Sequence, residues 1–130
     1  MITSPVLLDT DILIDYAKGD IDARNVLIDY ENKSISHLSR IELLCGMHPD
    51  DIVKTDAFLE SNFDIYPLSV EVCKAASKII AEHDLLLPNA LLAATAELTG
   101  ATVLTRDKRA YKQALRHIKN PYEDDTEVRE

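Results

Sequence analysis

Two pairs of oxygen-bearing side chains follow short apolar runs in this chain of 130 residues. Asp9 and Asp11 come after the run VLL, and Thr105 and Asp107 come after the run ATVL. Sites on parallel sheets lie at the carboxyl ends of the strands, so we expect these four side chains to lie near one another. Carboxylates at close range cannot all ionise without a cation, and hard oxygen ligands suit Mg²⁺ or Mn²⁺. No histidine stands at these two positions, which disfavours zinc.

Two further polar residues stand near predicted helix starts. Glu42 lies on the helix after the run SIS, and Asn89 lies at the start of an apolar helix. Ser39 and Glu42 have the spacing of a capping box, in which the serine caps the helix and the glutamate bonds back to it. Helix capping is also an open interpretation for the aspartates, because Asp is a preferred N-cap residue. The residues with both a structural and a functional interpretation are Asp9, Asp11, Glu42, Asn89 and Asp107.

Short apolar runs alternate with helix-like segments along the chain, and these elements must position the site. The sequence predicts strands at VLL, SIS, FDIY, ATVL and HIK. Asp20 is predicted to cap a helix through Tyr30 with Ile21 on its apolar face, and Asp107 is predicted to start a helix that runs to about Arg116. Strands that alternate with helices imply a parallel sheet. We therefore expect an α/β protein with three layers, a short and mostly parallel sheet with helices on both faces.

Length and composition favour a single domain. Hydrophobic residues make up 46% and charged residues 28% of the chain, which is the balance of a globular protein. We predict one domain over residues 1–122 and a disordered acidic tail over residues 123–130. Two cysteines far apart disfavour a disulfide framework or a thiolate zinc site. Neither a signal peptide nor a membrane span is predicted, so we expect a cytoplasmic protein without a membrane role.

Charge is unevenly distributed in a chain of net charge −9. Residues 1–100 carry 7 basic and 17 acidic side chains, whereas residues 101–120 carry six basic side chains and one acid. A chain this acidic is a poor candidate for non-specific coating of nucleic acid. The local basic strip predicts either contacts with a phosphate chain beside the acidic site or a solvated helix face. The candidate phosphate-binding residues are Arg106, Lys108, Arg109 and Lys112.

Four blocks of the sequence together resemble one known family. They are VLLDTDILIDYAKG, ISHLSRIELLCG, LLLPNALLAATAELTGATVLTRD and the closing NPY, so the resemblance extends from about residue 5 to Tyr122. In order and spacing the blocks resemble a PIN-domain protein of the VapC-like toxin group. The resemblance implies a metal-dependent endoribonuclease that is usually paired with an antitoxin protein and is often a homodimer.

The resemblance also implies roles for individual residues. By position, Asp9, Glu42 and Asp107 match the first, second and last acids of the family. Asp9 and Asp107 are then direct ligands of Mg²⁺ or Mn²⁺, and Glu42 binds the ion or orients water. Thr105 matches the small hydroxyl residue of the TRD block and donates to a ligand carboxylate or a phosphate oxygen. The basic strip then positions the RNA substrate through its phosphates, with little direct reading of bases.

Asn89 departs from the family pattern, which usually has an aspartate at this position. An amide keeps one acceptor oxygen but carries no charge and cannot accept a proton as a base. Asp11 supplies a carboxylate close by in the sequence. Two functions therefore stay open, a nuclease whose site tolerates Asn89 and a PIN-like module that binds RNA or a protein and cuts poorly.

The DTD motif leaves a different class of enzyme open as well. It resembles the opening of haloacid-dehalogenase-like phosphatases, in which Asp9 would be the nucleophile and Asp11 the acid. That family needs a later acidic pair for Mg²⁺, and here Asp107 is followed by two basic residues. Phosphotransfer is therefore the weaker of the enzymatic alternatives.

Overall fold

The structure is a computed structural model that describes residues 1–123. The predicted acidic tail falls almost entirely on residues 124–130, which lie outside the described residues. The strands are β1 (Val6–Leu8), β2 (Lys33–Ser36), β3 (Asp64–Tyr66), β4 (Thr102–Leu104) and β5 (Ile118–Lys119). The α-helices are α1 (Thr10–Ala17), α2 (Ile21–Asp29), α3 (His37–Leu44), α4 (Pro49–Asn62), α5 (Val70–His83) and α6 (Leu87–Thr99). A 3-10 turn covers Lys108–Tyr111.

The five strands form one sheet in the order β3-β2-β1-β4-β5, and every neighbouring pair is parallel. In the centre, Leu7 of β1 pairs with Ser34 of β2 on one side and with Val103 of β4 on the other. Parallel neighbours require crossover connections, which the helices supply. The predicted α/β fold with a parallel sheet is therefore confirmed.

The sheet separates two apolar cores, because successive strand residues point to opposite faces. Leu7 and Val103 pack on the face covered by α5 and α6. Val6, Leu8 and Leu104 pack on the other face, against residues of α1, α2, α3 and α4. The predicted three-layer arrangement is therefore correct. In the part of the chain that the structure describes, no helix is both long enough and apolar enough to cross a membrane.

Local capping signals fix the ends of several helices, and the cap predicted at Asp20 is among them. The Asp20 side chain accepts from two backbone N–H groups at the start of α2, and Ser69 caps α5 by accepting from the N–H of Val72 at 3.2 Å. Gly100 ends α6 with φ at +75°, a conformation that glycine adopts readily. The predicted burial of Ile21 is wrong, since its side chain is 63% exposed and α2 buries Ala23 and Val26 instead.

The predicted helix from Asp107 to Arg116 does not form. Only the 3-10 turn at Lys108–Tyr111 is helical, and Lys112 follows it with φ at +50° and ψ at −122°. That backbone conformation is incompatible with a continuing right-handed helix. The chain turns at this point and continues into β5.

Candidate functional site

The candidate site lies at the carboxyl ends of β1 and β4, which are neighbours in the sheet. Their last residues, Leu8 and Leu104, pair with each other, and the N–H of Asp9 donates to the carbonyl of Leu104 at 2.9 Å. Thr105 therefore stands beside the start of α1. Its hydroxyl lies 2.9 Å from Oδ2 of Asp9 and 3.1 Å from Oδ2 of Asp11. The structure thus brings together three predicted site residues from opposite ends of the chain.

The Asp9 carboxylate is held by three hydrogen-bond donors. Its Oδ1 accepts from the N–H of Thr10 at 2.7 Å, which caps α1. Its Oδ2 accepts from the hydroxyls of Thr105 at 2.9 Å and Tyr111 at 2.7 Å. One oxygen therefore serves the helix cap while the other faces the hydroxyls, so the capping and site interpretations of Asp9 are compatible. Burial and the negative charge of Asp9 raise the pKa of the Tyr111 phenol, which keeps it a donor.

Asp11 is the carboxylate of the site whose hydrogen-bonding capacity is least satisfied. Its Oδ2 shares the single hydroxyl proton of Thr105 with Asp9 and also accepts from the N–H of Arg106 at 3.2 Å. Its Oδ1 is buried and has no hydrogen-bond partner among residues 1–123. Burial, followed by the charge of Asp9, raises the pKa of this carboxyl to about 6, against the opposing effects of the Thr105 hydrogen bond and of Arg106. The site therefore carries more negative charge than its donors balance.

Glu42 joins the site through the first turn of α1. The Thr10 hydroxyl donates to Oε1 of Glu42 at 2.6 Å and lies 2.9 Å from Oγ of Ser39. The predicted capping box is wrong, because α3 begins earlier and is capped by Ser36, whose Oγ accepts from the N–H of Leu38 at 3.0 Å. Strand β2 runs directly into α3, so Ser39 is buried inside the helix and Glu42 projects from it.

Asn89 and Asp107 have different surroundings from the three acids above. The Asn89 amide nitrogen donates to the carbonyl of Ala110 at 3.1 Å. Asp107 is exposed, and its backbone N–H donates to Oγ1 of Thr105 at 3.1 Å. Within residues 1–123, neither side chain is hydrogen-bonded to Asp9 or Asp11. Asp107 is therefore attached to the site by its backbone, and Asn89 by the turn that follows β4.

The basic strip divides into two kinds of side chain. Arg106 is half exposed, with Nε 3.0 Å from Oδ2 of Asp15, and Lys112 donates through Nζ to the carbonyl of Asp84 at 2.9 Å. Lys108 and Arg109 are exposed and form no ion pair in the described part of the chain. These two cations directly follow Asp107 in the sequence, and because they are exposed and unpaired among the described residues they are the ones most available to a phosphate chain.

Tyr111 is the residue that the sequence predictions missed. Its side chain is 1% exposed, and its hydroxyl reaches Asp9 across 102 positions of the chain. Hydrophobic periodicity assigns a tyrosine such as this one to the core, and the neighbouring sequence does not indicate its hydrogen-bond partner. The only available signal is that a buried tyrosine hydroxyl nearly always finds a hydrogen-bond partner.

A comparison with protein-family models identifies the family to which this arrangement of elements belongs. The family model described as "PIN domain" matches residues 6–115. The chain belongs to the PIN domain family. No curated protein matches it.

Solved structures resemble this PIN domain over nearly their full length. A chain of a toxin–antitoxin complex from Klebsiella pneumoniae is 26% identical, with a TM-score of 0.81 over 90% of this chain and 98% of that one. A chain of FitAcB from Neisseria gonorrhoeae is 22% identical, with a TM-score of 0.75 over 91% and 99%. A chain of DNA-bound VapBC from Salmonella typhimurium is 17% identical, with a TM-score of 0.73 over 89% and 96%. The last two likenesses concern the fold alone.

PIN domains generally use divalent metal ions, and two features of this site bear on such an ion. No group of three or more His, Cys, Asp or Glu side chains arranged to hold a metal ion occurs within residues 1–123. The unpartnered Oδ1 of Asp11 beside the Asp9 carboxylate nevertheless supplies hard, anionic oxygens. Mg²⁺ is commonly bound by one or two carboxylates, with water and substrate phosphates as its other ligands. The residues present therefore fit a divalent ion with few protein ligands.

Proposed function

We propose that this PIN domain is the toxin of a toxin–antitoxin pair and acts as a metal-dependent endoribonuclease. The observation that carries the proposal is the Asp9–Asp11 carboxylate pair at the ends of β1 and β4. Its side-chain donors are the neutral hydroxyls of Thr105 and Tyr111, and one Asp11 oxygen has no hydrogen-bond partner among residues 1–123. Such a pair attracts a cation. PIN domains of toxin–antitoxin systems are generally metal-dependent ribonucleases, so a cation bound here would serve RNA hydrolysis.

The roles we assign follow from position and chemistry. Asp9 and Asp107 hold Mg²⁺ or Mn²⁺, and the negative charge of Asp11 adds to the attraction for the ion. A bound divalent ion supplies Lewis acidity, which makes water a better nucleophile and neutralises charge on the phosphoryl oxygens. Glu42, held by the Thr10 hydroxyl, orients the attacking water through its second carboxylate oxygen.

Substrate positioning falls to the exposed cations after β4. Lys108 and Arg109 bind phosphates on either side of the scissile bond, because they are exposed and unpaired among the described residues. Arg106 and Lys112 contribute less, since each is engaged with Asp15 or with the Asp84 carbonyl. Recognition through phosphates carries little base specificity, so we expect the shape of the RNA to select the cleavage site.

A second candidate function is a PIN-like module that binds RNA or a protein and cuts poorly. It is favoured by Asn89, a neutral residue whose amide nitrogen is engaged with the carbonyl of Ala110. With one carboxylate fewer, metal affinity at the site falls, most of all for a second ion.

The partners we propose are an antitoxin and a second copy of the chain. The antitoxin is supported by the resemblance to a chain of the toxin–antitoxin complex from Klebsiella pneumoniae. Electrostatics supports it as well, because the acidic residues 1–100 attract a basic partner. Light scattering coupled to size exclusion at micromolar concentration tests the homodimer, and a clean monomer would contradict it.

The deciding experiment is cleavage of a mixed RNA pool, including folded tRNA, with Mg²⁺, with Mn²⁺ and with EDTA. We expect cleavage that requires metal and that disappears in Asp9→Ala. The matched control is Asp56→Ala, which removes a carboxylate on the α3–α4 surface and leaves cleavage unchanged. No cleavage by folded, metal-saturated protein would favour the binding module, and cleavage by Asp9→Ala at the rate of the unmodified chain would reject the assignment.

A further inference from the structure

The contact between Tyr111 and Asp9 joins the apolar core to the acidic site. The Tyr111 ring belongs to the core cluster between the sheet and helices α5 and α6. Its hydroxyl ends 2.7 Å from Oδ2 of Asp9. A small displacement of the ring would break this hydrogen bond, which would leave the buried phenol without its partner and remove one of the two hydroxyl donors to Oδ2 of Asp9. The position of Tyr111 therefore constrains the orientation of the Asp9 carboxylate.

Asn89 restrains the 3-10 turn that carries Tyr111. The side-chain nitrogen of Asn89 is 3.1 Å from the carbonyl oxygen of Ala110, the residue before Tyr111. A carbonyl only accepts hydrogen bonds, so the group that faces it must be the amide NH₂. An ionised aspartate at position 89 could not make this contact, because a carboxylate has no donor. The neutral side chain at this position is thus matched to the backbone that it contacts.

Lys112 restrains the same turn from its other end. The N–H of Ala114 donates to the carbonyl of Tyr111 at 3.0 Å, and Lys112 sits inside this turn at φ +50° and ψ −122°. That conformation is favoured by glycine, and a side chain there persists only where surrounding contacts hold it. The contact that stabilises this conformation is the hydrogen bond from Nζ of Lys112 to the carbonyl of Asp84 at 2.9 Å. Tyr111 is therefore restrained on both sides, by the hydrogen bond from Asn89 to the residue before it and by the turn at Lys112 after it.

We propose that Tyr111 is a positioning residue for Asp9, and that Asn89 acts through Tyr111 by holding the 3-10 turn in place. We call the Asn89–Ala110 hydrogen bond, together with the contact of Tyr111 with Asp9, the clamp. In this role Asn89 holds the site in place structurally and is not a weakened metal ligand. The inference rests on the proposed function only in naming a divalent ion as what Asp9 is positioned to bind. It follows that Asn89→Asp does not strengthen the site, since it removes the donor to Ala110 and releases the turn.

Mn²⁺ affinity measured by calorimetry tests the role of Tyr111. Tyr111→Phe removes only the hydroxyl, and we expect Mn²⁺ to bind about 10- to 100-fold more weakly, as on loss of a group that orients a metal ligand. The matched control is Tyr122→Phe, which removes an equivalent hydroxyl bonded to Asp15 at 3.1 Å and leaves Mn²⁺ affinity unchanged. If Tyr111→Phe binds Mn²⁺ as the unmodified chain does while Asp9→Ala does not bind it, the positioning role is rejected.

A double-mutant comparison tests whether Asn89 acts through Tyr111. We expect Asn89→Ala to weaken Mn²⁺ binding in the unmodified chain and to have no further effect in the Tyr111→Phe background. Asn89→Asp is expected to behave like Asn89→Ala. Additive losses would mean that Asn89 acts independently, and tighter Mn²⁺ binding by Asn89→Asp would mean that position 89 is a ligand position. Either result overturns the inference.

Urea unfolding in EDTA separates failure of this inference from failure of the proposed function. The clamp predicts non-additive shifts of the unfolding midpoint for Asn89→Ala and Tyr111→Phe, with or without a metal. If the unmodified chain binds no Mn²⁺ and cuts no RNA but the shifts are non-additive, the proposed function fails and the clamp stands. If the shifts are additive, the clamp is rejected whatever the activity.

Discussion

Carboxylates occur in two contrasting settings in this protein, on the surface between α3 and α4 and at the ends of β1 and β4. On the surface, Arg40 binds Asp56 with two hydrogen bonds of 2.7 Å and also contacts Glu60 at 3.1 Å. At the strand ends, the side-chain donors to Asp9 and Asp11 are the neutral hydroxyls of Thr105 and Tyr111. The first group has its cation within the chain, and the second has none among these donors.

The pKa values show the consequence of this difference. The hydrogen bonds and charge of Arg40 lower the pKa of the Asp56 carboxyl. Burial and the charge of Asp9 raise the pKa of Asp11 to about 6. A carboxylate pair that is oriented by hydroxyls and forms no ion pair within residues 1–123 keeps a negative potential for an external cation, reduced in part by the charge of Arg106. The comparison therefore indicates that Asp56 stabilises the fold, whereas Asp9 and Asp11 remain available to bind a cation.

The largest expected effect is loss of RNA cleavage in Asp9→Asn. The amide keeps an oxygen for the cap of α1 but removes the charge, so we expect cleavage to fall by at least about 100-fold. Asp56→Asn is the isosteric control at the surface pair, and its cleavage rate should stay within about twofold of the unmodified chain. Equal losses in the two variants would erase the distinction between the two regions.

The next effect concerns Glu42, which is oriented by a hydroxyl instead of a cation. Thr10→Val keeps the shape of the buried side chain and removes the donor that lies 2.6 Å from Oε1 of Glu42. We expect RNA cleavage to fall about 10-fold because Glu42 is no longer oriented. Thr10→Val in the Glu42→Gln background should cause little further loss, whereas the same loss of about 10-fold there would show that Thr10 does not act through Glu42.

A smaller effect is the pH dependence of stability that Asp11 produces. Folding raises the Asp11 pKa from 3.8 to about 6, so the folded chain binds this proton more tightly than the unfolded chain. The Asp11 contribution to the free energy of unfolding is therefore full below pH 3.8 and is lost as the pH rises through about 6. Between pH 4 and pH 7, Asp11→Asn should gain about 1–2 kcal/mol relative to the unmodified chain, after allowance for solvent screening.

Urea unfolding in EDTA at the two pH values measures this difference. Asp56→Asn supplies the opposite sign, because the lowered pKa of Asp56 contributes stability above its unfolded pKa that is lost in acid. Parallel pH profiles for Asp11→Asn and the unmodified chain would contradict the raised pKa.

The smallest expected effect is on the surface pair itself. Arg40→Met removes the cation and keeps much of the aliphatic stem, so we expect a small fall in the unfolding midpoint. The difference from the unmodified chain should shrink as salt rises, because surface ion pairs are screened. Unfolding curves at low and high salt measure it, and a loss of RNA cleavage in this variant would show that the two regions are coupled.

Local patterns in the sequence predicted most of the elements. The predicted strand at VLL and the helix capped by Asp20 both form, because each depends on hydrophobic period or on a side chain bonding its own neighbourhood. Two local predictions were wrong for a common reason. Ser39 has capping-box spacing but is buried against Thr10, and the segment after Asp107 turns at Lys112 instead of extending as a helix. In both places tertiary contacts outweigh local preference.

The sequence by itself determined that acids would gather at one edge of the sheet. Asp9 and Thr105 end apolar runs, and the ends of adjacent parallel strands meet by the geometry of the sheet. Only the tertiary structure decided how those acids are held. The hydroxyl of Tyr111 reaches Asp9, and the amide of Asn89 reaches Ala110, through side-chain pairs whose partners lie 102 and 21 positions apart. Such pairs follow from the packing of whole layers, and no local spacing encodes them.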